Sequence, residues 1–257
     1  MTKQENPNGY VIYEGPSKLD GKPIFVAALT GNSRNSKTGG MIQTFIMRSD
    51  IDPLTANKTG ADFSICGSCV HRGIPHNRDD RKTADNRSCY VTLFHAPLTV
   101  FKQYKAGRYP NISNRHPQLI AELGRDRMVR IGAYGDGAAV DSEIWHKLIS
   151  LASGHTGYSH QAELPGADFD PSLYMESVET EFQAFQAWSE GKRTFRTISR
   201  IEDAIRGKEI ICPASEEAGK KTTCEKCGLC AGTSTKSPKS IAIVIHGNGK
   251  GNFKAAS

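Results

Sequence analysis

The chain has 257 residues, of which 23% are charged and 37% hydrophobic, and its formal net charge is +6. This length is enough to bury one sizeable core, so we expect one main domain. We expect a cytoplasmic protein without membrane contact, because the first residues form no apolar signal segment and no run approaches roughly eighteen apolar residues. The dispersed positive charge permits nucleic acid as a partner without requiring it.

The first 58 residues are predicted to form a β-rich extension. Three runs rich in β-branched and aromatic residues, 10–13, 24–28 and 42–46, are separated by turn-forming Gly, Pro and Asp. Such runs favour antiparallel strands that cover one end of a larger unit. We therefore divide the chain into an extension, 1–58, packed on a main domain, 59–257.

A first cysteine group follows the extension. Cys66 and Cys69 form a C-x2-C pair, and nineteen residues separate Cys69 from Cys89. Three thiolates on one [4Fe–4S] cluster leave one iron with an open position, which suits a catalytic cluster. The alternative is zinc held by three cysteines and a histidine, with His71 or His76 as the fourth ligand.

Helices and strands alternate through the rest of the chain. A helix is predicted from Pro97 to Gly107, a second over 117–123, and a third from its cap at Asp141 to Gly154. Capping boxes predict two more helices, at Thr180–Gln183 and from Ser199 to Gly207. The predicted strands are 128–132, 158–161, 173–178, 194–198, 209–211 and 241–245. This alternation indicates an α/β fold with parallel strands, a complete or partial (β/α) barrel of the TIM type.

A second cysteine group lies near the end of the chain. Cys212 precedes Pro213, and after a gap come Cys224, Cys227 and Cys230 at C-x2-C-x2-C spacing. That spacing together with a Cys-Pro is typical of bacterial [4Fe–4S] ligation, although here the Cys-Pro comes first. Four cysteines also satisfy tetrahedral zinc, which stays open as an alternative.

Polar side chains concentrate where the predicted strands end. Because barrel enzymes carry their chemistry at the carboxyl ends of the strands, we expect a functional cavity there. No Ser/His/Asp order, H-E-x-x-H or strand-following G-x-G-x-x-G is present. The strand-end residues that we single out are Tyr134, Gly135, Asp136, His160, Ser177, Glu179 and Arg196.

These motifs carry a family resemblance. Four motifs are similar to those of a cysteine-rich set of bacteriophage-associated proteins. They are the C-x2-C pair, the Cys-Tyr that leads to an aromatic helix ending Gly107-Arg108-Tyr109, the R-x-G-x-x-G-D segment at 130–136, and the late C-x2-C-x-L-C. That set distantly resembles radical S-adenosylmethionine enzymes of the spore photoproduct lyase type. The similarity covers residues 60–246. The spacing differs from the C-x3-C-x2-C that is usual in these radical enzymes, since nineteen residues separate Cys69 from Cys89.

The resemblance implies a partial barrel, a [4Fe–4S] cluster on the first cysteine group, and S-adenosylmethionine bound at the end of the second barrel strand. Gly135 and Asp136 would correspond to that strand end. Tyr134 and Ser177 complete the predicted cofactor-binding set, and a phage-encoded chain would act in the host cytoplasm. The predicted catalytic residues are Asp136, His160, Glu179 and Arg196.

The alternative function is a zinc-stabilised protein that binds nucleic acid or a protein partner without catalysis. In that interpretation both cysteine groups are structural, and basic residues of the first cysteine loop contact phosphates. Those basic residues are Arg72, Arg78, Arg81, Lys82 and Arg87.

Overall fold

The computed structural model describes residues 7–31, 38–113, 117–219, 221–235 and 237–254. In these ranges the chain forms ten strands and seven α-helices, joined by loops and short 3-10 turns. The strands are β1 (Gly9–Pro16), β2 (Pro23–Leu29), β3 (Ile42–Arg48), β4 (Met128–Tyr134), β5 (Gly154–Thr156), β6 (Tyr158–Ser159), β7 (Met175–Val178), β8 (Thr194–Ile198), β9 (Glu209–Ile211) and β10 (Ser240–Val244). The α-helices are α1 (Pro53–Thr59), α2 (Phe63–Cys66), α3 (Ala96–Lys105), α4 (Pro117–Gly124), α5 (Ser142–Ile149), α6 (Glu181–Ser189) and α7 (Cys224–Cys227).

The first sheet has the order β1-β2-β3-β4-β5. β1, β2 and β3 pair antiparallel, which confirms the three predicted N-terminal strands. β3 then pairs in parallel with β4, with Ile42 opposite Val129, and β4 pairs in parallel with β5. Hydrogen bonding between strands therefore crosses the predicted boundary at residue 58. The first cysteine group follows β3 after the helix α1, at the end of α2.

The second sheet is parallel throughout and has the order β6-β7-β8-β10-β9. Gly157 separates it from the first sheet, because this residue stands between β5 and β6 and its N–H donates to Cys230 at 2.8 Å. β10 lies inside the sheet and β9 at its edge. Four of the five residues of β10 are buried, as expected for a parallel strand covered on both faces, and β9 is only three residues long.

The mixed α/β class and the parallel strands agree with the prediction, but the strand order departs from a simple barrel. A TIM-type barrel places neighbouring strands in chain order, whereas here β10 separates β8 from β9. Closure of the two sheets into a barrel stays a prediction.

The predicted helix starts are confirmed for α3, α4, α5 and α6. Pro97 lies in the first turn of α3, Asp141 caps α5 through the N–H of Glu143, and Thr180 and Gln183 form the predicted capping box of α6. The end of α5 was predicted too late. The helix ends at Ile149, since the following residues return to the sheet and begin β5.

The predicted helix from Ser199 to Gly207 is wrong. Only one 3-10 turn, Ile201–Asp203, forms there. Two side chains from the sheet bind the backbone groups that a longer helix would need. The N–H of Ile205 donates to Glu209 at 2.8 Å, and Arg196 donates to the carbonyl of Asp203 at 2.7 Å.

The main core lies between the first sheet and its helices. Trp145 of α5 is fully buried there and donates its indole N–H to the carbonyl of Gly137 at 2.9 Å. A smaller cluster forms on the second sheet from Met175, Cys230 and Ile241, with Cys212 packed against it. The second cysteine group is therefore attached to the core of the second sheet.

Close packing of β3 on the end of β4 requires glycine at position 135. Gly135 has a φ of +82°, and a Cβ at this position would lie 2.6 Å from the carbonyl oxygen of Ile46. The predicted cofactor-binding residue thus also has a packing role.

In the part of the chain that the structure describes, every helix is too short or too polar to cross a lipid bilayer.

Candidate active site

A cavity of about 410 Å³ lies at the carboxyl ends of the parallel strands. Residues at the ends of β4, β7, β8 and β10 contribute to its wall, so a cavity is present where the strand-end residues predicted one. Six residues that the sequence indicated as catalytic or cofactor-binding line it: Tyr134, Gly135, Asp136, His160, Ser177 and Glu179.

All three cysteines of the first group line this cavity. Cys66 is the last residue of α2, and the N–H of Cys69 donates back to its carbonyl at 3.1 Å. Cys89 returns from the long loop and donates its N–H to the carbonyl of His71 at 3.1 Å. Residues that are far apart in the sequence therefore bring three thiols to one wall.

Asp136 fixes the first cysteine loop to the end of β4. Its N–H donates to the carbonyl of Ile65 at 2.6 Å, next to Cys66. Its buried carboxylate accepts the N–H groups of Ala138 and His160, at 3.0 and 2.9 Å. This geometry gives Asp136 a positioning role at the cavity wall.

Gln161 holds the same loop from the other side and was not among the predicted site residues. Its fully buried amide donates to the carbonyl of Cys66 at 2.9 Å and accepts from the N–H of Ser68 at 3.0 Å. The loop passes so close that a Cβ on Gly67 (φ +50°) would lie 2.1 Å from the Gln161 amide oxygen. The only sequence signal for Gln161 was its place beside His160 after a strand.

The thiols of the first group are close enough to affect one another electrostatically. Burial raises the pKa of Cys66 well above its usual value, and the negative charges of Asp62, Cys69 and Cys89 raise it further. Burial also raises the pKa of Cys89, which Arg87 partly opposes. Mutually repelling thiolates in a buried position are what a bound cation would stabilise.

Glu179 lies between two histidines on the cavity wall. Its carboxylate oxygen Oε1 is 3.1 Å from Nε2 of His160 and 3.4 Å from Nε2 of His71. Although burial raises the pKa of Glu179, the hydrogen bonds from His160 and His71 lower it to about 2. His160 also approaches Cys69, with 3.9 Å between Nε2 and Sγ.

The two histidines considered as a fourth zinc ligand are placed differently. His71 lines the cavity, but His76 does not, and Nε2 of His76 lies 3.0 Å from the carbonyl oxygen of Thr83. Among the described residues, His160 contacts a thiol of the first group, since its Nε2 lies 3.9 Å from Sγ of Cys69. Sequence spacing could not show this, because His160 follows a strand far along the chain.

The second cysteine group borders the same cavity through Cys212 and Cys224. Thr223 caps the short helix α7, and Gly228 ends it in the left-handed conformation, so the chain turns back within a few residues. Burial raises the pKa of Cys230 to about 12, with the charges of Cys212, Cys224 and Cys227 adding to it and a hydrogen bond with Tyr158 opposing it.

Besides Arg72, two arginines line the cavity near the two cysteine groups. Arg87 donates to the carbonyl of Cys89 at 3.0 Å, and Arg130 donates to the hydroxyl of Tyr90. The negative charge of Tyr90 raises the pKa of Arg130, although burial lowers it. The charges of Tyr158, Cys224 and Cys230 raise this pKa further. Within the described ranges, neither arginine forms an ion pair with a carboxylate.

Tyr134 brings an unsatisfied polar atom to the cavity. Its side chain is buried, and its hydroxyl has no hydrogen-bond partner among the residues that the structure describes. Buried polar atoms are nearly always paired, so this hydroxyl is available to a molecule bound in the cavity.

Arg196 lies outside the cavity, although the sequence placed it among the catalytic candidates. Phe195 and Thr197 line the cavity, and side chains alternate along a strand, so Arg196 lies on the opposite face. There it donates to both carboxylate oxygens of Glu209, at 3.0 and 2.7 Å. This position favours a structural role for Arg196.

Two of the five basic residues of the first cysteine loop are paired with carboxylates of the same part of the chain. Arg72 forms an ion pair with Asp62 at 2.5 Å and also donates to the carbonyl of Gly67 at 2.6 Å. Arg78 pairs with Asp85 at 2.5 Å. Internal pairing leaves these two arginines poorly placed to contact phosphates.

A comparison of the chain with protein-family models, with curated proteins and with solved structures finds no match. The fold and the site define a mixed α/β protein with two five-stranded sheets and a cavity lined by thiols, histidines and carboxylates.

Proposed function

We propose that this chain is an iron–sulfur enzyme of the radical S-adenosylmethionine-like class. The observation that carries the proposal is that Cys66, Cys69 and Cys89 line one cavity together with residues at the carboxyl ends of parallel strands. Three thiols at a cavity give a catalytic [4Fe–4S] cluster three ligands and leave one iron accessible. When bound, such a cluster supplies electrons to a molecule held at that iron.

The first cysteine group fits this cofactor in its donor chemistry and surroundings. Its thiols are soft ligands of the kind that iron–sulfur clusters require. The unpaired hydroxyl of Tyr134 provides a donor for a molecule in the cavity, and Arg87 places positive charge beside Cys89, where an anionic cluster would need it. Asp136 and Gln161 hold the loop so that the thiols keep their positions.

S-adenosylmethionine is the proposed partner of the open iron. This assignment rests on the sequence resemblance and on the cavity, which is large enough for a small-molecule cofactor. Gly135, Asp136, Tyr134 and Ser177 line the wall where it would bind, and His160 and Glu179 lie beside the cluster thiol Cys69.

The four cysteines of the second group are proposed to ligate a second [4Fe–4S] cluster fully. This cluster would serve electron transfer or structural support. The charges of Cys212, Cys224 and Cys227 raise the pKa of Cys230, and Cys212 and Cys224 line the same cavity. Zinc is the alternative at this site because four thiolates satisfy both. The nucleic-acid-binding alternative is less favoured, since Arg72 and Arg78 are paired within the loop.

Metal and sulfide analysis of anaerobically prepared protein tests the proposal. We expect a brown protein with about eight iron and about eight sulfide per chain, as two [4Fe–4S] clusters require. The matched control is the Cys66→Ser/Cys69→Ser/Cys89→Ser variant, which should keep about half of both. Colourless protein that contains about two zinc ions and no sulfide would contradict the proposal and support the zinc alternative.

A further inference from the structure

We propose that His71, His160 and Glu179 bind a divalent first-row transition-metal ion, at a site separate from both cysteine groups. The three side chains come from the first cysteine loop, the end of β6 and the end of β7, and all of them line the cavity. Their ligand atoms lie within 4.8 Å of one another. Two imidazoles and one carboxylate form a common ligand set for iron(II) and zinc in enzymes.

The distances fit a shared ion. Two ligands that are each about 2.0–2.1 Å from a metal, at tetrahedral or octahedral angles, are roughly 2.9–3.4 Å apart. Oε1 of Glu179 is 3.1 Å from Nε2 of His160 and 3.4 Å from Nε2 of His71. Both pairs that include Glu179 therefore have the spacing that one ion requires, and the two histidine nitrogens lie within 4.8 Å of each other.

His71 is already oriented as a metal ligand. Its Nδ1 lies 2.8 Å from Oγ of Ser88, which leaves Nε2 directed at Glu179. Histidine ligands usually have a hydrogen-bond partner on the second ring nitrogen, because it fixes the ring and the tautomer. The ring of Phe253 stacks on His71 at 5.9 Å and covers it further.

The charge balance of the cluster also favours a cation. The side chains of His71, His160 and Glu179 are only 13%, 24% and 16% exposed. Across the described ranges, Glu179 forms ion pairs with these two histidines and with no lysine or arginine. A buried carboxylate needs a positive partner, and a divalent ion on the three ligands would supply it in place of the protons on the two histidines.

Coordination by three protein ligands leaves positions for water or for an oxygen of a substrate in the cavity. Cys69 lies close by, with its Sγ 3.9 Å from Nε2 of His160. The ion would thus lie beside the proposed cluster and contact the same bound molecule in the cavity. It would not share the three cysteine ligands that we assign to the cluster.

Manganese(II) is the probe that best separates this site from the thiols, because it prefers nitrogen and oxygen ligands to sulfur. The free ion gives a resonance signal that disappears on binding, so an anaerobic titration of the full chain counts bound ions. We expect about one equivalent to bind to the unmodified protein. Glu179→Gln keeps the size of the side chain and should weaken binding at least about tenfold.

The matched control is Glu163→Gln, which removes an exposed carboxylate outside the cavity and should leave the titration unchanged. If Glu179→Gln fails to fold, His71→Gln is the second variant. It should weaken manganese binding by the same factor. Equal binding by the unmodified protein, Glu179→Gln and His71→Gln, or no stoichiometric binding at all, would overturn the proposal. The titration measures manganese binding and not the iron or sulfide content. A protein that binds no manganese would therefore not contradict the iron–sulfur proposal.

Discussion

Replacing Arg196 with methionine is expected to lower the free energy of unfolding by about 3–5 kcal/mol. The guanidinium forms two hydrogen bonds with Glu209, and the side chains of these residues are 7% and 0% exposed. Methionine fills much of the same space but leaves the carboxylate of Glu209 buried without its cationic partner, and burying an unpaired charge is strongly unfavourable. Urea denaturation followed by circular dichroism measures the change.

Arg200→Met is the matched control for this prediction. Arg200 pairs with Asp203 at 3.2 Å, but its side chain is 74% exposed, and exposed ion pairs contribute at most about 1 kcal/mol. An Arg196→Met protein as stable as the control, but inactive, would return Arg196 to the catalytic role that the sequence suggested.

Cys227→Ser is expected to lower the midpoint of thermal unfolding by roughly 10 °C or more, whereas Cys89→Ser should leave it nearly unchanged. A fully ligated centre contributes its binding free energy to folding, and loss of one of four ligands removes much of that contribution. The second cysteine group is also tied to the sheet, since Cys230 packs on Met175 and Ile241.

In the proposed function Cys89 belongs to the open site, whose loop is held without any cluster by Asp136 and Gln161 at its Cys66 end and by the hydrogen bond from the Cys89 N–H to the carbonyl of His71. Its loss should therefore remove the first cluster and its activity but spare the fold. The measurement is thermal unfolding by circular dichroism on both variants, prepared anaerobically. A Cys89→Ser protein that unfolds as readily as Cys227→Ser would contradict the division into one open and one structural centre.

Much of the fold could be predicted because local signals agreed with the final contacts. The capping box of Thr180 and Gln183 and the Asp141 cap placed two helices correctly. The prediction from Ser199 to Gly207 failed for a non-local reason, since Arg196 and Glu209 bind the backbone groups that the helix needed. Local propensity does not report such competition from the sheet.

The residues of the candidate site could also be predicted only in part from the sequence. Placement at strand ends correctly brought His160 and Glu179 to one cavity, because parallel strands end at one edge. The alternation of side chains along β8 could have excluded Arg196, which lies between two cavity-lining residues. The pairing of His71 with Glu179 was beyond prediction, as 107 residues separate them in the sequence and only the fold brings them together.

The proposed function requires an accessible iron on a cluster held by Cys66, Cys69 and Cys89. Electron paramagnetic resonance of the reduced protein, recorded with and without S-adenosylmethionine, tests it most directly, because a new ligand on an open iron changes the spectrum of that cluster. We predict an iron–sulfur signal that shifts on addition of S-adenosylmethionine in the unmodified protein and is missing from Cys89→Ser. A reduced protein without an iron–sulfur signal, or a signal that S-adenosylmethionine leaves unchanged, would contradict the claim.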